Sequence, residues 1–210
     1  MQVLVDSRPL DAEGSTLGEL IDAAHESLRG SGRLVVEVRV DGALIEAGTL
    51  DAQMNEPVTG ETVELATADP RTLAQETLGQ VAAVLGDVRD VQEKAAGLLR
   101  SDQPGDALEQ VREAVGVWQQ AQASVMHSAQ LLGLDLDGMT LEGESAPAVI
   151  EQLADQLKAL REQLNAGDWL GLADTLEYEL TEAAERWTQL IAELQRRIGD
   201  EAAGGADSTE

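Results

Sequence analysis

His25 and His127 are the only imidazoles in the chain, and there is no cysteine. An imidazole can act as a general base or a metal ligand. Zinc sites, however, are built from several His or Cys ligands, and neither histidine has such a neighbour at ligand spacing. His25 falls beside an apolar helical stripe with Asp22 and Glu26 nearby, and His127 lies off the Val125/Ala129 stripe. Both read as solvated side chains. Lack of cysteine removes thiolate ligands, disulfides and a sulfur nucleophile. The Glu-x-x-His pairs of di-metal helical bundles are absent. Leu134-Asp-Leu-Asp-Gly-Met-Thr-Leu-Glu142 carries a trace of a calcium loop, but it lacks the third acidic ligand before its glycine and the full spacing to a bidentate Glu. It is expected to be an acidic surface loop whose Leu134, Leu136 and Leu141 tuck onto helices. Gly30-Ser-Gly32 is a helix exit, not a Gly-x-Ser-x-Gly elbow, and no phosphate-cradling or dinucleotide glycine motif occurs. These residues predict no catalytic group, no cofactor and no metal.

Charge narrows the partners. Among 210 residues, 40 are Asp or Glu and 14 are Lys or Arg, for a net charge of −26. Phosphate backbones are bound by clustered cations. Only Lys94 and Lys158 are lysines, so nucleic acid is not an expected partner. Residues 1–70 hold 14 acids and 4 bases, and residues 71–210 hold 26 and 10. The excess is spread along the chain, which favours solubility or a high-salt habitat over an acidic surface for a basic partner. Apolar residues make up 43% and aromatics 2%, with no Phe, so cores must rest on Leu, Val, Ala and Ile. No apolar run nears the roughly 18 residues of a membrane span, and no basic-then-apolar leader is visible at Met1. The reading is cytoplasmic, with no membrane partner.

The elements that must position any site fall into two regimes. In residues 1–69, Met1, Val3 and Val5 alternate, Ser7-Arg8 reads as a turn, and Pro9 to Ala12 as a return strand. Thr16-Leu-Gly-Glu19 is a capping box, followed by Leu17, Leu20, Ile21, Ala24 and Leu28 on one helical stripe. Leu34, Val36, Val38 and Val40 alternate with Val35, Glu37 and Arg39. Asp41-Gly42 is a hairpin signal. Residues 43–60 look irregular, and Val63, Leu65 and Thr67 form a last strand. One helix across such strands is an α+β two-layer unit.

From Pro70 the spacing becomes helical. Leu78, Val81, Leu85, Val88, Val91, Ala95 and Leu98 mark a helix over about 71–99. Leu108, Val111, Val115, Trp118, Gln122, Val125, Ala129 and Leu132 mark a second over about 105–132. Ile150, Leu153, Leu157, Leu160 and Leu164 mark a third over about 147–165. Trp169, Ala173, Leu176, Leu180, Ala183, Trp187, Leu190, Leu194 and Ile198 mark a fourth over about 168–198. Such stripes predict an antiparallel up-down four-helix bundle over 70–199. The three tryptophans fall on its seams and are expected in the core. Gln122 reads as a solvent-edge residue. Gly199 is expected to end the last helix, leaving 200–210 as a disordered acidic tail. Tyr178 lies away from Leu176 and Leu180, between Glu177 and Glu179, and is the candidate partner contact.

The N-terminal motifs, Met-Gln-Val-Leu-Val, Thr-Leu-Gly-Glu-Leu-Ile, Val-Glu-Val-Arg-Val-Asp-Gly and Gly-Glu-Thr-Val-Glu-Leu, resemble the ubiquitin-like β-grasp fold. They are most similar to the small sulfur carriers of thiamin and molybdopterin synthesis. That resemblance implies a fold over about residues 1–67. The family's activated Gly-Gly is replaced here by Ala66-Thr-Ala-Asp-Pro70, while a Gly204-Gly205 pair stands near the end. Residues from Asp168 to Leu180, with Trp187, faintly resemble the last helices of flagellar export chaperones, which are small, acidic and helical. The combined expectation is a non-enzymatic protein-binding adaptor or chaperone-like protein of the bacterial cytoplasm. It would bind through the bundle or the β-grasp surface. The alternatives are a derivative of a sulfur-carrier or ubiquitin-like modifier system, and a self-associating structural protein that forms homo-oligomers.

Overall fold

In the computed structural model, which describes residues 1–101 and 103–206, a mixed α+β chain divides into two units, Met1–Leu73 and Ala74–Glu210. The first begins with Asp6 and Ser7 at φ 47° and 64°, as a two-residue type I′ turn requires. That turn, one residue earlier than expected, folds β1 (Gln2–Val5) against β2 (Arg8–Leu10). Asp6 fixes it at long range. Its carboxylate accepts from the Thr67 hydroxyl at 2.6 Å and the Thr67 N–H at 2.8 Å.

The sheet has strand order β2-β1-β5-β3-β4, where β3 is Leu34–Val40, β4 is Ala43–Leu44 and β5 is Thr62–Ala68. β5 runs parallel to β1 and antiparallel to β3. Helix α1 (Leu17–Ser27) starts at the Thr16/Glu19 capping box, with both reciprocal hydrogen bonds made. Its Leu17, Leu20, Ile21 and Ala24 form one core with Val3, Val38, Val63 and Leu65. The strict alternation expected in β3 fails at one residue. Val35 pairs with Thr67 and Glu37 with Ala66, which leaves Val36 as a bulge. A single extra residue exchanges the faces of a strand. Val35, Val38 and Val40 therefore turn to the core, while Leu34 and Val36 are exposed. The segment expected to be irregular contains β4 and a second helix, α2 (Ala47–Gln53).

The second unit is dominated by long helices: α3 (Pro70–Arg100), α4 (Pro104–Leu132) and α5 (Ala146–Ala166), then α6 (Trp169–Asp174), a π-helical turn Thr175–Glu179, and α7 (Leu180–Ala206). Local chemistry fixes most ends. Proline opens α4 without losing a needed N–H. Ser145 caps α5 by accepting from the Ala148 N–H, and Asp168 caps α6 by accepting from the Gly171 N–H. Gly133 and Gly167 close α4 and α5 in the left-handed region at φ 65° and 67°, where an L side chain would be strained.

Three features depart from the periodicity. The loop 133–145 contains a hairpin, β6 (Thr140–Leu141) with β7 (Glu144–Ser145), and it carries Met139 into the core. The π turn breaks the fourth helix. Gly199 does not stop α7, because its φ is not positive and the helix continues to Ala206. The tail expected from residue 200 is thus helical to that point, and residues 207–210 lie outside the described residues.

Two lateral seams hold the unit. Gln75 and Gln195 donate to each other's backbone carbonyls at 3.4 and 3.2 Å, and Arg100 pairs with Asp174 at 2.9 Å and with Glu177. These contacts set α3 antiparallel to α6–α7. Gln156 donates to the Glu179 carbonyl, and Gln163 to the Thr175 hydroxyl at 3.0 Å, so α5 is tied to both ends of the π turn. At the centre Trp118 and Trp187 are fully buried, edge to face with centroids 6.2 Å apart, a contact worth about 1 kcal/mol beyond its buried area. No described helix is long and apolar enough to cross a membrane.

Candidate functional site

The residues that suggested chemistry are scattered. His25 is exposed on α1 and His127 is exposed on α4. Among the described residues, no group of three or more His, Cys, Asp or Glu is placed to hold a metal ion. The acidic loop spends its carboxylate locally: Asp135 Oδ1 accepts from the Asp137 N–H at 3.0 Å. Glu142 occupies the hairpin turn at φ 46°. Leu134 and Leu136 pack against the helical core, and Leu141 is buried in it. Tyr178 is 62% exposed on the π turn, and its ring lies 6.0 Å below the Arg100 guanidinium. Glu177 and Asp174 hydrogen-bond that guanidinium and raise its pKa further above the ordinary arginine value. Tyr178 is therefore an exposed ring beside an ion-paired cation.

A wide apolar cleft lies elsewhere, between α4 and α5. It has a volume of about 880 Å³, within the range of ligand and peptide sites. Its α4 wall carries Leu108, Val115 and Gln122, one every two helical turns, and its α5 wall carries Leu157 and Leu164 at the same interval. Trp169 closes one end. These six side chains are half-buried, not core. The expected α4 stripe was a composite of two seams. Ala107, Val111, Ala114, Trp118, Ala121 and Val125 face the core, and the neighbouring Leu108–Val115–Gln122 row faces the cleft. On the core side Ala107, Ala114 and Ala121 alternate with Val111, Trp118 and Val125, so two neighbouring rows of α4 face different surroundings. Trp169, expected in the core, is the correction among the tryptophans. It is the first residue of α6, held at the cleft mouth by the Asp168 cap.

The electrostatics of the cleft oppose those of the chain. Arg112 on α4 and Lys158 and Arg161 on α5 line it, and no Asp or Glu does, although acids outnumber bases almost three to one. Arg29, Arg33, Arg39, Arg89, Arg100, Arg186, Arg196 and Arg197 make ion pairs. Among the described residues the three cleft cations make none. The lining contains no imidazole, carboxyl or hydroxyl nucleophile. It offers alkyl and indole surface, two amides and three cations.

A smaller crevice of about 440 Å³ lies in the N-terminal unit, where α1, α2 and the bulged part of β3 meet. Ile21, Val36, Leu44 and Met54 line it, with His25 at its side. Its walls carry acids and no arginine or lysine, so it lacks the charge contrast of the α4–α5 cleft.

The profile described as "Domain of unknown function (DUF8042)" matches residues 76–190, more than half of the chain. This chain belongs to the DUF8042 family. No curated protein and no solved structure matches it. The DUF8042 segment runs from the first turns of α3 to Leu190 of α7 and contains every residue lining the cleft. Leu108 and Val115 share one 3–4 spacing with Val111 and Trp118, and Leu157 and Leu164 share one with Leu153 and Leu160, so spacing alone does not separate cleft from core.

Proposed function

We propose that this DUF8042 protein is a non-enzymatic, cytoplasmic protein-binding module that seats a partner in the α4–α5 cleft. The observation carrying this reading is a row of half-buried Leu, Val and Trp along two helices, left unfilled by any described element. Adjacent helices in a bundle normally fill such a groove with each other. A groove left open with regular knobs suits a partner's helix.

We read the helical unit as a four-helix bundle of α3, α4, α5 and α6–α7. The antiparallel seams α3/α7 and α5/α7 support that reading. We read the N-terminal unit as a β-grasp domain, supported by the order β2-β1-β5-β3-β4 with β1 and β5 parallel and α1 across the sheet. A sulfur-carrier derivative is the weaker reading. β5 passes at Ala68 directly into α3 at Pro70, so the strand that would end in an activated glycine carboxylate continues as helix.

Site-specific photo-crosslinking tests the proposal. With benzoylphenylalanine replacing Val115 in the cleft wall, a discrete covalent adduct with another protein should form in cells of the native organism. The same group at Gly86, exposed on α3 with nothing near its added carbon, should give none. Identical products at both positions, or none at 115, would reject a partner in the cleft.

A further inference from the structure

We infer that the occupant of the cleft is an acidic amphipathic α-helix, about four turns long, whose Leu-type stripe is flanked by Asp or Glu. This rests on the reading of the cleft as a protein-binding site and specifies the partner's chemistry.

Three observations carry it. Both walls present apolar residues at seven-residue intervals, the repeat with which one helix receives the knobs of another. The α4 row from Leu108 to Gln122 is about 21 Å long at 1.5 Å per residue, which sets the length of helix it can seat. The cations stand on both walls, Arg112 on one and Lys158 and Arg161 on the other. A helix lying on the apolar floor would therefore meet a positive charge on each flank. A fatty acyl chain carries one anionic head at one end and would leave cations on the opposite wall unmatched. A second copy of this chain would bring another net charge of −26 and the self-repulsion that goes with it. A short partner helix brings only its own carboxylates, and at physiological salt the distant charges of the chain are screened beyond about 8 Å. The charged side chains that line the cleft itself are all cations.

The test uses the full-length chain and a displayed library of roughly four-turn helical peptides. A Leu stripe is fixed, and the flanking positions are drawn from Glu, Gln and Lys. Selection should enrich Glu at the flanks. The selected peptide should shift Trp169 emission to the blue, and this change should vanish in Trp169→Phe. Its affinity should fall roughly tenfold or more in the Arg112→Glu/Lys158→Glu/Arg161→Glu variant, from the loss of three ion pairs. It should fall comparably in Leu157→Asp or Val115→Asp, at half-buried positions where helical content should not change. Recovery of Lys-flanked peptides by the charge-reversed variant would complete the support.

Enrichment of Lys or Gln on the wild-type chain, with binding still lost in Leu157→Asp, would overturn the acidic partner and leave the cleft as a docking site. Peptides that bind Leu157→Asp undiminished would overturn the cleft itself. Failure to select any peptide would overturn the inference. If potassium oleate then shifts Trp169 emission, the site takes a small amphiphile and the protein-binding reading fails too. A light-scattering mass of two chains with Trp169 already shielded would assign the cleft to self-association and overturn the inference.

Discussion

Gln92 offers the sharpest test of the helical core. It is fully buried on α3 beside Val88, Ala95, Ala96 and Leu99, and among the described residues neither its amide nitrogen nor its amide oxygen has a partner. A buried polar group without a hydrogen bond costs about 1–3 kcal/mol, and replacing it by an apolar group of similar shape is stabilising. Gln92→Met keeps the unbranched length and volume. It should stabilise the unit by about 2 kcal/mol. For a unit of roughly 140 residues, an unfolding entropy near 2.1 cal/mol/K per residue gives about 0.3 kcal/mol/K, so the midpoint should rise by about 7 °C. Trp118, Trp169 and Trp187 all lie in this unit, so tryptophan emission during urea and thermal unfolding reports on it alone. The urea slope should stay unchanged, since the surface exposed on unfolding is the same. A loss of more than about 1 kcal/mol would refute the reasoning. It would mean that the Gln92 amide is hydrogen-bonded in solution and fixes helix register.

The core and cleft sides of α5 should separate by mutation. Leu153→Ala, in the core, should cost about 2–5 kcal/mol, and Leu157→Ala, in the cleft wall, under about 1 kcal/mol, both read from tryptophan emission in urea. Gly60→Ala should destabilise the N-terminal unit, because the added carbon would lie 2.4 Å from Val40 Cγ1. Overpacking of that kind costs about 1–3 kcal/mol, read as faster amide exchange in β3 and β5. Acid should weaken both units. Asp6 is held below its ordinary pKa by the Thr67 hydroxyl and N–H, and Glu193 is held at about 2 by Arg196 and then Arg197. Their contributions are whole above the unfolded carboxylate values and fade as pH falls through the folded ones. Asp6→Asn should flatten the acid limb for the N-terminal unit, and Glu193→Gln that for the helical unit between about pH 4.5 and 2.

Short-range chemistry made much of the fold legible. The Thr16/Glu19 box, Asp41-Gly42, Pro104, Gly133 and Asn165-Ala-Gly167 mark ends through bonds within a few residues, and the elements begin or end beside them. The bulge at Val36 was hidden because Leu34-Val-Val-Glu-Val-Arg-Val suits either face, and only pairing with β5 chooses. The π turn was hidden because the 173, 176, 180, 183 spacing reads as uninterrupted helix. Gln156 and Gln163 reach its two ends from α5, a tertiary contact that spacing does not carry. Gly199 misled because glycine ends a helix only when the backbone turns left-handed there. The cleft was half legible. Its residues stand out as apolar, but Leu108, Val111 and Val115 fall on one broad apolar face. Which edge of that face turns inward, burying Ala107, Ala114 and Ala121, is a property of the assembled helices.

The chain's lack of cysteine permits one direct measurement. A thiol installed by Leu157→Cys can be labelled with a maleimide in the purified protein and in intact cells of the native organism, with Leu153→Cys as the buried reference. A cleft that holds a partner helix in the cell predicts rapid labelling of the purified Leu157→Cys protein, strong protection in the cell, and slow labelling of Leu153→Cys in both. Equal, rapid labelling of Leu157→Cys in both settings would contradict an occupied cleft.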